Sequence, residues 1–343
     1  MTSSILIIYT GGTIGMKQDP VDGALKPFDF SQIKEEVQEL SKYDVKIDSY
    51  TFDPLIDSSD VQPSLWADLV KLIKSKYELY DGFVILHGTD TMAYSASAVS
   101  FMLEGLTKPV VFTGSQLPIG VPRTDGKENL ISSVEIAAAK DAQGHAMVPE
   151  VTIFFDSKLL RGNRSTKYSA EAFDAFTSPD CPPLAEAGIR IRYNKDIIIK
   201  PVAWDAPLKV FTHLDTRVSI LKVHPGITPQ VVKNILLGEE TRAVILETYG
   251  SGNALSTPWF LDILREADHM GKILLNVTQC KSGTVDMDLY ATGRTLKLSG
   301  VLSGGDITTE AALGKLFALM GRSDNNQWVK TALERPICGE TSE

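Results

Sequence analysis

Short apolar runs, each followed by a polar turn, recur along the whole chain. The clearest run is 83–86, which precedes the turn 87–91 and a helical spacing of apolar residues from Met92 onwards. This order predicts a strand, a turn and a helix. The predicted strands are 5–9, 50–55, 83–86, 109–112, 151–155, 218–223, 243–247 and 273–277.

Helical patterns fill most of the spaces between these strands. The predicted helices are 31–40, 63–80, 92–104, 129–140, 228–237, 258–270 and 308–320. Strands that alternate with helices predict an α/β fold built on largely parallel sheets. Two segments depart from this pattern: 156–169 predicts a β-hairpin arm or a long loop, and the residues after 320 predict a polar tail.

The composition changes between 178 and 207, where five prolines interrupt short strand-like pieces. A chain of 343 residues is also too long for one ordinary core. We therefore predict an N-terminal α/β domain over 1–195, a linker over 196–213 and a C-terminal α/β domain over 214–343. Each domain should contain a largely parallel sheet flanked by helices, Rossmann-like in the first and smaller and flavodoxin-like in the second.

Acidic residues outnumber basic ones, 43 against 34, which gives a formal net charge of −9. This balance provides no electrostatic reason to bind nucleic acid or an anionic membrane surface. The three cysteines are far apart and the five histidines form no cluster in the sequence, so neither a disulfide framework nor a metal site is expected. The apolar stretch 5–9 is too short for a signal peptide or a membrane span, which predicts a cytoplasmic protein.

A glycine-rich turn, TGGTIG at 10–15, follows the first predicted strand. Such a turn can cradle a phosphate, or it can bring a hydroxyl close to a small substrate. Its glycines lack the dinucleotide-binding spacing, and the prolines in 17–30 would break the helix that a nucleotide fold needs. We predict a loop over 17–30, either a lid above Thr13 or a surface loop without a role.

Hydroxyl-bearing residues follow several of the predicted strands. A single threonine or aspartate before a helix is often only an N-cap, but their repetition at strand after strand favours a shared crevice at one edge of the sheet. The predicted crevice contains Thr10, Thr13, Ser58, Ser59, Thr89, Asp90 and Lys167. A lysine tuned by an aspartate could take the proton of a hydroxyl, and the turns could stabilise an oxyanion. This set favours amide hydrolysis, although Lys167 could also be an ordinary solvated lysine.

Three motifs together resemble those of the bacterial L-asparaginases: TGGTIG at 10–15, HGTDTM at 87–92 and YGSGN at 249–253. The stretch RGNRSTK at 161–167 is most similar to their cytoplasmic type I branch. The resemblance implies hydrolysis of asparagine to aspartate and ammonia, with weak glutaminase activity left open, and needs no cofactor and no metal. It also implies a homotetramer or homodimer with active sites near the subunit interfaces.

The same resemblance implies roles for individual residues. Thr13 corresponds to the primary nucleophile, and Thr89 corresponds to the second threonine, with Asp90 and Lys167 as its partners. The implied substrate-binding residues are Ser58 and Ser59 for the α-amino and α-carboxylate ends, Gly88, Ser115 through a backbone contact, and Asn253 reaching a neighbouring subunit's site.

Two positions depart from the family pattern. The loop after Thr13 lacks, at 23–25, the tyrosine that supports the nucleophile, and Tyr9, a strand residue, is not expected to replace it. The nucleophilic role could therefore shift toward Thr89 and Lys167. Glu247 occupies the place of an arginine that serves an allosteric asparagine site in type I enzymes. Because a carboxylate there would repel the substrate's carboxylate, we expect non-cooperative kinetics.

Two other functions stay open at this point. An amidotransferase subunit that releases ammonia for a tRNA-dependent partner shares both threonine motifs, although such subunits carry an extra domain before the first strand, which begins here at Ile5. A non-catalytic nucleotide or amino-acid sensor would keep the crevice without needing Thr89, Asp90 and Lys167 together. The choice between asparagine and glutamine depends on one methylene, about 1–3 kcal/mol, and the sequence decides neither that nor the assembly size.

Overall fold

A computed structural model of the chain describes residues 2–18, 25–27 and 37–342. The predicted loop over 17–30 and the predicted helix over 31–40 lie largely outside these residues. The described parts are the paired short strands Met16–Gln18 and Leu25–Pro27, and a 3-10 turn at Gln38–Lys42.

The chain divides into two compact units. One unit comprises Met1–Ser178 with Pro182–Thr212, and the other comprises Pro179–Cys181 with His213–Glu343. Each unit contains a sheet flanked by helices, and parallel pairing predominates, so the predicted α/β class is confirmed. The domain bounds proposed from the sequence, 1–195 and 214–343 with a linker at 196–213, stay a prediction.

An eight-stranded sheet forms the centre of the first unit. In chain order its strands are β1 (Ser3–Tyr9), β2 (Val45–Thr51), β3 (Gly82–Leu86), β4 (Val110–Thr113), β5 (Val151–Phe155), β6 (Lys158–Arg161), β7 (Ala185–Ala187) and β8 (Ile191–Tyr193). Their order across the sheet is β8-β7-β6-β5-β4-β3-β1-β2. The strands β2, β1, β3, β4 and β5 run parallel, and β6 to β8 add antiparallel hairpins at one side.

Three helices pack on this sheet: α1 (Pro63–Lys76), α2 (Met92–Met102) and α3 (Gly126–Ala138). After Ser3 and Ser4, strand β1 is apolar and almost fully buried, as is the whole of β3, which is expected for parallel strands with both faces covered. Helix α2 is buried along nearly its whole surface, because its alternating alanines and serines allow close packing. The resulting core fixes the strand ends where the site lies.

The second unit contains a four-stranded parallel sheet in chain order. Its strands are β9 (Val218–Lys222), β10 (Ala243–Thr248), β11 (Ile273–Thr278) and β12 (Val301–Ser303). Its helices are α4 (Pro229–Leu236), α5 (Pro258–His269), α6 (Ala291–Lys297), α7 (Thr309–Arg322) and α8 (Asn326–Leu333). The apolar faces of α4 and α5 cover a core built on β10 and β11.

For two elements whose bounds differ from those predicted, the structure gives the physical reason. The strand predicted at 50–55 is β2, which ends at Thr51 and lies at the sheet edge, where its exposed polar residues hide the strand pattern. The helix predicted at 92–104 ends at Met102, because Leu103–Glu104 pairs as a strand with Lys209–Val210.

The residues after 320, which we predicted to be a polar tail, are partly helical. They contain helix α8, capped by the Asn325 side chain, which accepts a hydrogen bond from the Trp328 N–H. Beyond α8, the Glu340 carboxylate is fully buried and lies 2.7 Å from the Lys315 ammonium. Helix α6 and strand β12 were also missed, since both are short.

Of the two alternatives for 156–169, a β-hairpin arm or a long loop, the structure shows a hairpin of β5 and β6. The chain reverses at Asp156 and Ser157, whose φ values of 46° and 64° give the two-residue turn that matches strand twist. Although this segment is polar, Arg161 and Arg164 are buried, and the Arg161 Nε lies 2.6 Å from the carboxylate of Glu150. Two short antiparallel strands follow, Thr166–Lys167 and Phe176–Thr177, and the first contains the predicted site residue Lys167.

Candidate active site

The turns after β1, β2, β3 and β4 lie along one edge of the first sheet, because these four strands are parallel neighbours. Backbone hydrogen bonds join the turns to one another. The Thr10 N–H and hydroxyl both donate to the Leu86 carbonyl at 3.0 Å, and the Ile56 N–H donates to the Thr10 carbonyl at 2.9 Å. The His87 N–H similarly donates to the Thr113 carbonyl at 3.0 Å.

Glycines allow these turns to touch through their backbones. A Cβ built on Gly12 would lie 2.5 Å from the Cα of Gly88, and a Cβ on Gly88 would lie 2.6 Å from the Cβ of Ser58. Both distances are shorter than any real packing contact, so a side chain at either glycine would separate the turns. Gly12 immediately precedes Thr13, and Gly88 immediately precedes Thr89. The structure therefore brings the turns of Thr13, Ser58 and Thr89 together.

The clearest chemical contact joins a lysine to the second threonine. The Lys167 ammonium donates to the Thr89 hydroxyl at 2.8 Å and to the Asp90 carboxylate at 2.6 Å. The lysine side chain is 19% exposed and the aspartate 62%, so the pair opens toward solvent on the carboxylate side. Three predicted site residues thus form one connected group, and Lys167 is not an isolated solvated lysine.

The turn after β2 is tied to the turn after β3. The Thr91 hydroxyl donates to the Ser58 carbonyl at 2.7 Å. The Asp57 carboxylate accepts hydrogen bonds from the Ser59 N–H at 2.9 Å and the Ser59 hydroxyl at 2.8 Å, and these bonds lower the pKa of Asp57 below its ordinary value. Ser58 is buried whereas Ser59 is exposed. Thr91 was not among the predicted site residues, because a threonine before a helix is often only an N-cap.

His87 forms hydrogen bonds that hold the turn of Thr89 against helix α2. Its Nδ1 lies 2.7 Å from the Gly88 carbonyl and its Nε2 lies 2.9 Å from the Ser95 hydroxyl, which also accepts the Trp66 indole N–H at 2.8 Å. Burial lowers the pKa of His87 from 6.5 to about 4. The ring is therefore neutral at physiological pH, and a proton on Nδ1 satisfies the whole chain of bonds. His87 was not among the predicted site residues, because a histidine in a polar turn gives no indication of which residues it contacts.

Ser115 lies on the turn after β4, and its hydroxyl donates to the Leu117 carbonyl at 2.6 Å. The Asp125 carboxylate holds this turn by accepting the Gln116 N–H at 2.9 Å and the Leu117 N–H at 3.1 Å. The Gln116 amide donates to the Ala172 carbonyl at 3.0 Å, in the loop that follows the short strand of Lys167. The Ser115 turn and the lysine-bearing hairpin are thus connected directly.

Asn253, the remaining predicted site residue, lies in the second unit. Its backbone pairs with Tyr249 across the tight YGSGN turn, and its side-chain oxygen accepts the Thr292 hydroxyl. In the same unit the Glu247 carboxylate accepts the Thr309 hydroxyl at 2.8 Å and lies 3.7 Å from the Lys222 ammonium. The Glu247 carboxylate is therefore partnered inside its own unit.

Within residues 2–18, 25–27 and 37–342, no three His, Cys, Asp or Glu side chains are grouped so that they could hold a metal ion. Across the same part of the chain, none of the helices has the length and hydropathy that a membrane span requires.

The comparisons with known proteins cover nearly the whole chain. The family model of the asparaginase N-terminal domain matches residues 4–199, and that of the glutaminase/asparaginase C-terminal domain matches residues 217–333. L-asparaginase 1 of Escherichia coli (strain K12) is 43% identical over 344 residues, which cover 98% of this chain and 97% of that protein.

The chain is also similar to solved structures of L-asparaginases. L-asparaginase I from Vibrio cholerae has a TM-score of 0.87 at 39% identity and covers all of both chains. The thermostable L-asparaginase from Thermococcus kodakarensis has a TM-score of 0.89 at 30% identity and covers 99% of each chain.

Proposed function

The chain belongs to the asparaginase family, and from this membership we infer that it is an amidohydrolase that converts L-asparagine to L-aspartate and ammonia. The single observation that best supports this activity is the contact of Lys167 with Thr89 and Asp90, on a turn that packs against the turn of Thr13. A hydroxyl with an amine and a carboxylate as partners is a recognised arrangement for attack on a carbonyl.

We assign the nucleophilic role to Thr13. Its hydroxyl oxygen attacks the side-chain amide carbon, the leaving nitrogen takes up a proton, and ammonia departs to leave an ester on Thr13. Water then attacks the ester, which releases aspartate and returns the proton to the threonine. In both steps a proton must be removed from the attacking oxygen and delivered to the leaving group.

We assign this proton transfer to Lys167 acting with Thr89. In its deprotonated form the Lys167 amine can take the proton of the Thr89 hydroxyl across the 2.8 Å contact while Thr89 accepts the proton of the attacking oxygen, and the neighbouring Asp90 stabilises the ammonium that forms. Groups of this kind typically contribute about 10²–10⁴ in rate. The backbone N–H groups of the clustered turns are suited to bind the developing oxyanion.

The substrate's other end needs partners for an ammonium and a carboxylate. We assign this role to the turn of Ser58 and Ser59, with Gly88 and the backbone of Ser115 completing the binding surface. The contacts of Asp57 with Ser59 and of Thr91 with Ser58 give that turn a fixed shape, which supports the assignment. Asn253 would complete the site of a neighbouring subunit.

We further propose that the protein acts in the cytoplasm as a homotetramer or homodimer, without a cofactor, and that any glutaminase activity is weak. The net charge of −9 agrees with the absence of nucleic acid and anionic membranes among its partners.

Ammonia release by the purified protein tests this function. L-Asparagine and L-glutamine are each added without any other protein, and ammonia is followed over time. The proposal expects release from asparagine at a rate well above that from glutamine. Absence of release from asparagine would contradict it and would favour a binding protein or a subunit that depends on a partner.

A further inference from the structure

A buried tyrosine lies directly beneath the turn that carries Thr13. Tyr9, the last residue of β1, is fully buried, and its hydroxyl donates to the Gly12 carbonyl at 3.2 Å. That carbonyl belongs to the peptide that joins Gly12 to Thr13. The hydroxyl therefore holds the backbone at the residue that we propose as the nucleophile.

The ring of Tyr9 also restricts the far end of the same turn. Thr13 to Gly15 form a 3-10 turn, and a Cβ built on Gly15 would lie 2.6 Å from the Cε2 of Tyr9 and still closer to its Cζ and hydroxyl. The backbone of Gly15 does not adopt a positive φ, so its conformation is open to any residue. The aromatic ring is thus what requires a glycine at position 15.

The turn is held from a second side by the neighbouring strand end. Gly12, at φ 94°, packs its backbone against the Gly88 backbone. The peptide before Thr13 is consequently fixed between the Tyr9 hydroxyl and the Gly88 turn. The Tyr9 hydrogen bond opposes movement of this peptide away from the core, and the contact with Gly88 opposes movement away from Thr89.

We propose that Tyr9 is a positioning residue for the reaction: its hydroxyl and ring set the geometry in which the turn presents the Thr13 hydroxyl to the substrate. This inference rests on the proposed function, in which Thr13 attacks the amide. Burial raises the pKa of Tyr9 far above its ordinary value, so the phenol stays protonated and acts as a hydrogen-bond donor, not as a base.

The kinetic test uses Tyr9→Phe, which removes only the hydroxyl. The matched control is Tyr77→Phe, because Tyr77 is also buried in the first unit and its hydroxyl accepts the backbone N–H groups of Thr107 and Lys108 at the opposite ends of the strands. We expect Tyr9→Phe to lower kcat about fivefold while KM stays within about twofold, since the turn that binds the substrate's α-carbon groups is untouched. Tyr77→Phe should lower thermal stability but leave kcat within about twofold. Equal kcat values for the two variants would overturn the proposal.

A second test examines the ring contact and does not depend on activity. Gly15→Ala is introduced into the wild type and into Tyr9→Leu, which lacks the outer ring atoms. We expect the alanine to lower the Tm by at least about 3 °C in the first background and to have little effect in the second. Equal losses in both backgrounds would overturn the proposed restriction of the turn. Should the wild type release no ammonia, the function itself fails, and this unfolding cycle still decides whether Tyr9 fixes the turn.

Discussion

The Lys167 ammonium lies 2.8 Å from the Thr89 hydroxyl, although the two residues are 78 positions apart in the sequence. Thr89 lies on the turn after a parallel strand, whereas Lys167 lies on a short antiparallel pair beyond the β5–β6 hairpin. The hairpin brings Lys167 back to the strand ends. The Gln116 side-chain amide donates a hydrogen bond to the Ala172 carbonyl and so holds the loop that follows Lys167. The reactive group therefore depends on both parallel and antiparallel parts of the sheet.

Loss of the amine should reduce turnover much more than it reduces stability. We expect Lys167→Met to lower kcat by about 10²–10⁴-fold, because the proton of the attacking oxygen then has no acceptor at this place. Lys209→Met is a matched control, since Lys209 also lies on a two-residue strand and forms a 2.7 Å ion pair, with Glu104. Ammonia release measures both variants, and a Lys167→Met enzyme as active as the control would refute the assignment.

Protonation of His87 should couple stability to pH. The folded state keeps this ring neutral down to about pH 4, whereas the unfolded chain takes up the proton near pH 6.5. The stabilisation is therefore complete above about pH 6.5 and is lost as the pH falls toward 4, by a total of about 3 kcal/mol in the free energy of unfolding.

Urea unfolding between pH 7 and 4.5 checks this expectation. The variant His87→Asn should be less stable at pH 7 but should lose less stability on acidification than the wild type. His224→Asn serves as the control, because His224 is exposed, and it should keep the wild-type pH dependence. If His87→Asn and the wild type lose the same free energy across this range, the buried neutral ring is not responsible.

Asparagine should be hydrolysed without cooperativity. Glu247 presents a carboxylate that is already bonded to Thr309 and close to Lys222, and its charge disfavours a second carboxylate. The initial rate plotted against asparagine concentration should thus be hyperbolic. A clearly sigmoidal curve would show that an additional asparagine site operates despite this residue.

The elements that the sequence predicts well are those with the strongest apolar pattern. Strand β5 was predicted with its observed bounds, because four of its five residues are apolar and it lies between the charged residues Glu150 and Asp156. The edge strand β2 was displaced by several residues, since Lys46, Asp48 and Ser49 interrupt its apolar positions. Helix α8 was missed because only Val329 and Leu333 are buried along it.

For the site, local motifs pointed to individual residues but could not supply their partners. Thr89 and Asp90 are adjacent in the sequence, and a candidate lysine was proposed, but its distance from them depends on the hairpin. The contact of Tyr9 with the Thr13 turn also escaped prediction. Successive side chains of a strand point to opposite faces of the sheet, and the sequence does not show which face contacts the turn. Only the folded chain shows that the Tyr9 side chain reaches Gly12 and Gly15.

The central claim is that two threonine hydroxyls on touching strand-end turns carry out the hydrolysis. The most direct measurement is kcat for ammonia release from asparagine by Thr13→Val, Thr89→Val and Thr152→Val. Thr152 is the control, because its buried hydroxyl has no hydrogen-bond partner among the residues that the structure describes. We predict losses of at least about 10³-fold for the first two variants and less than about twofold for the third. Wild-type kcat in either Thr13→Val or Thr89→Val would contradict the account.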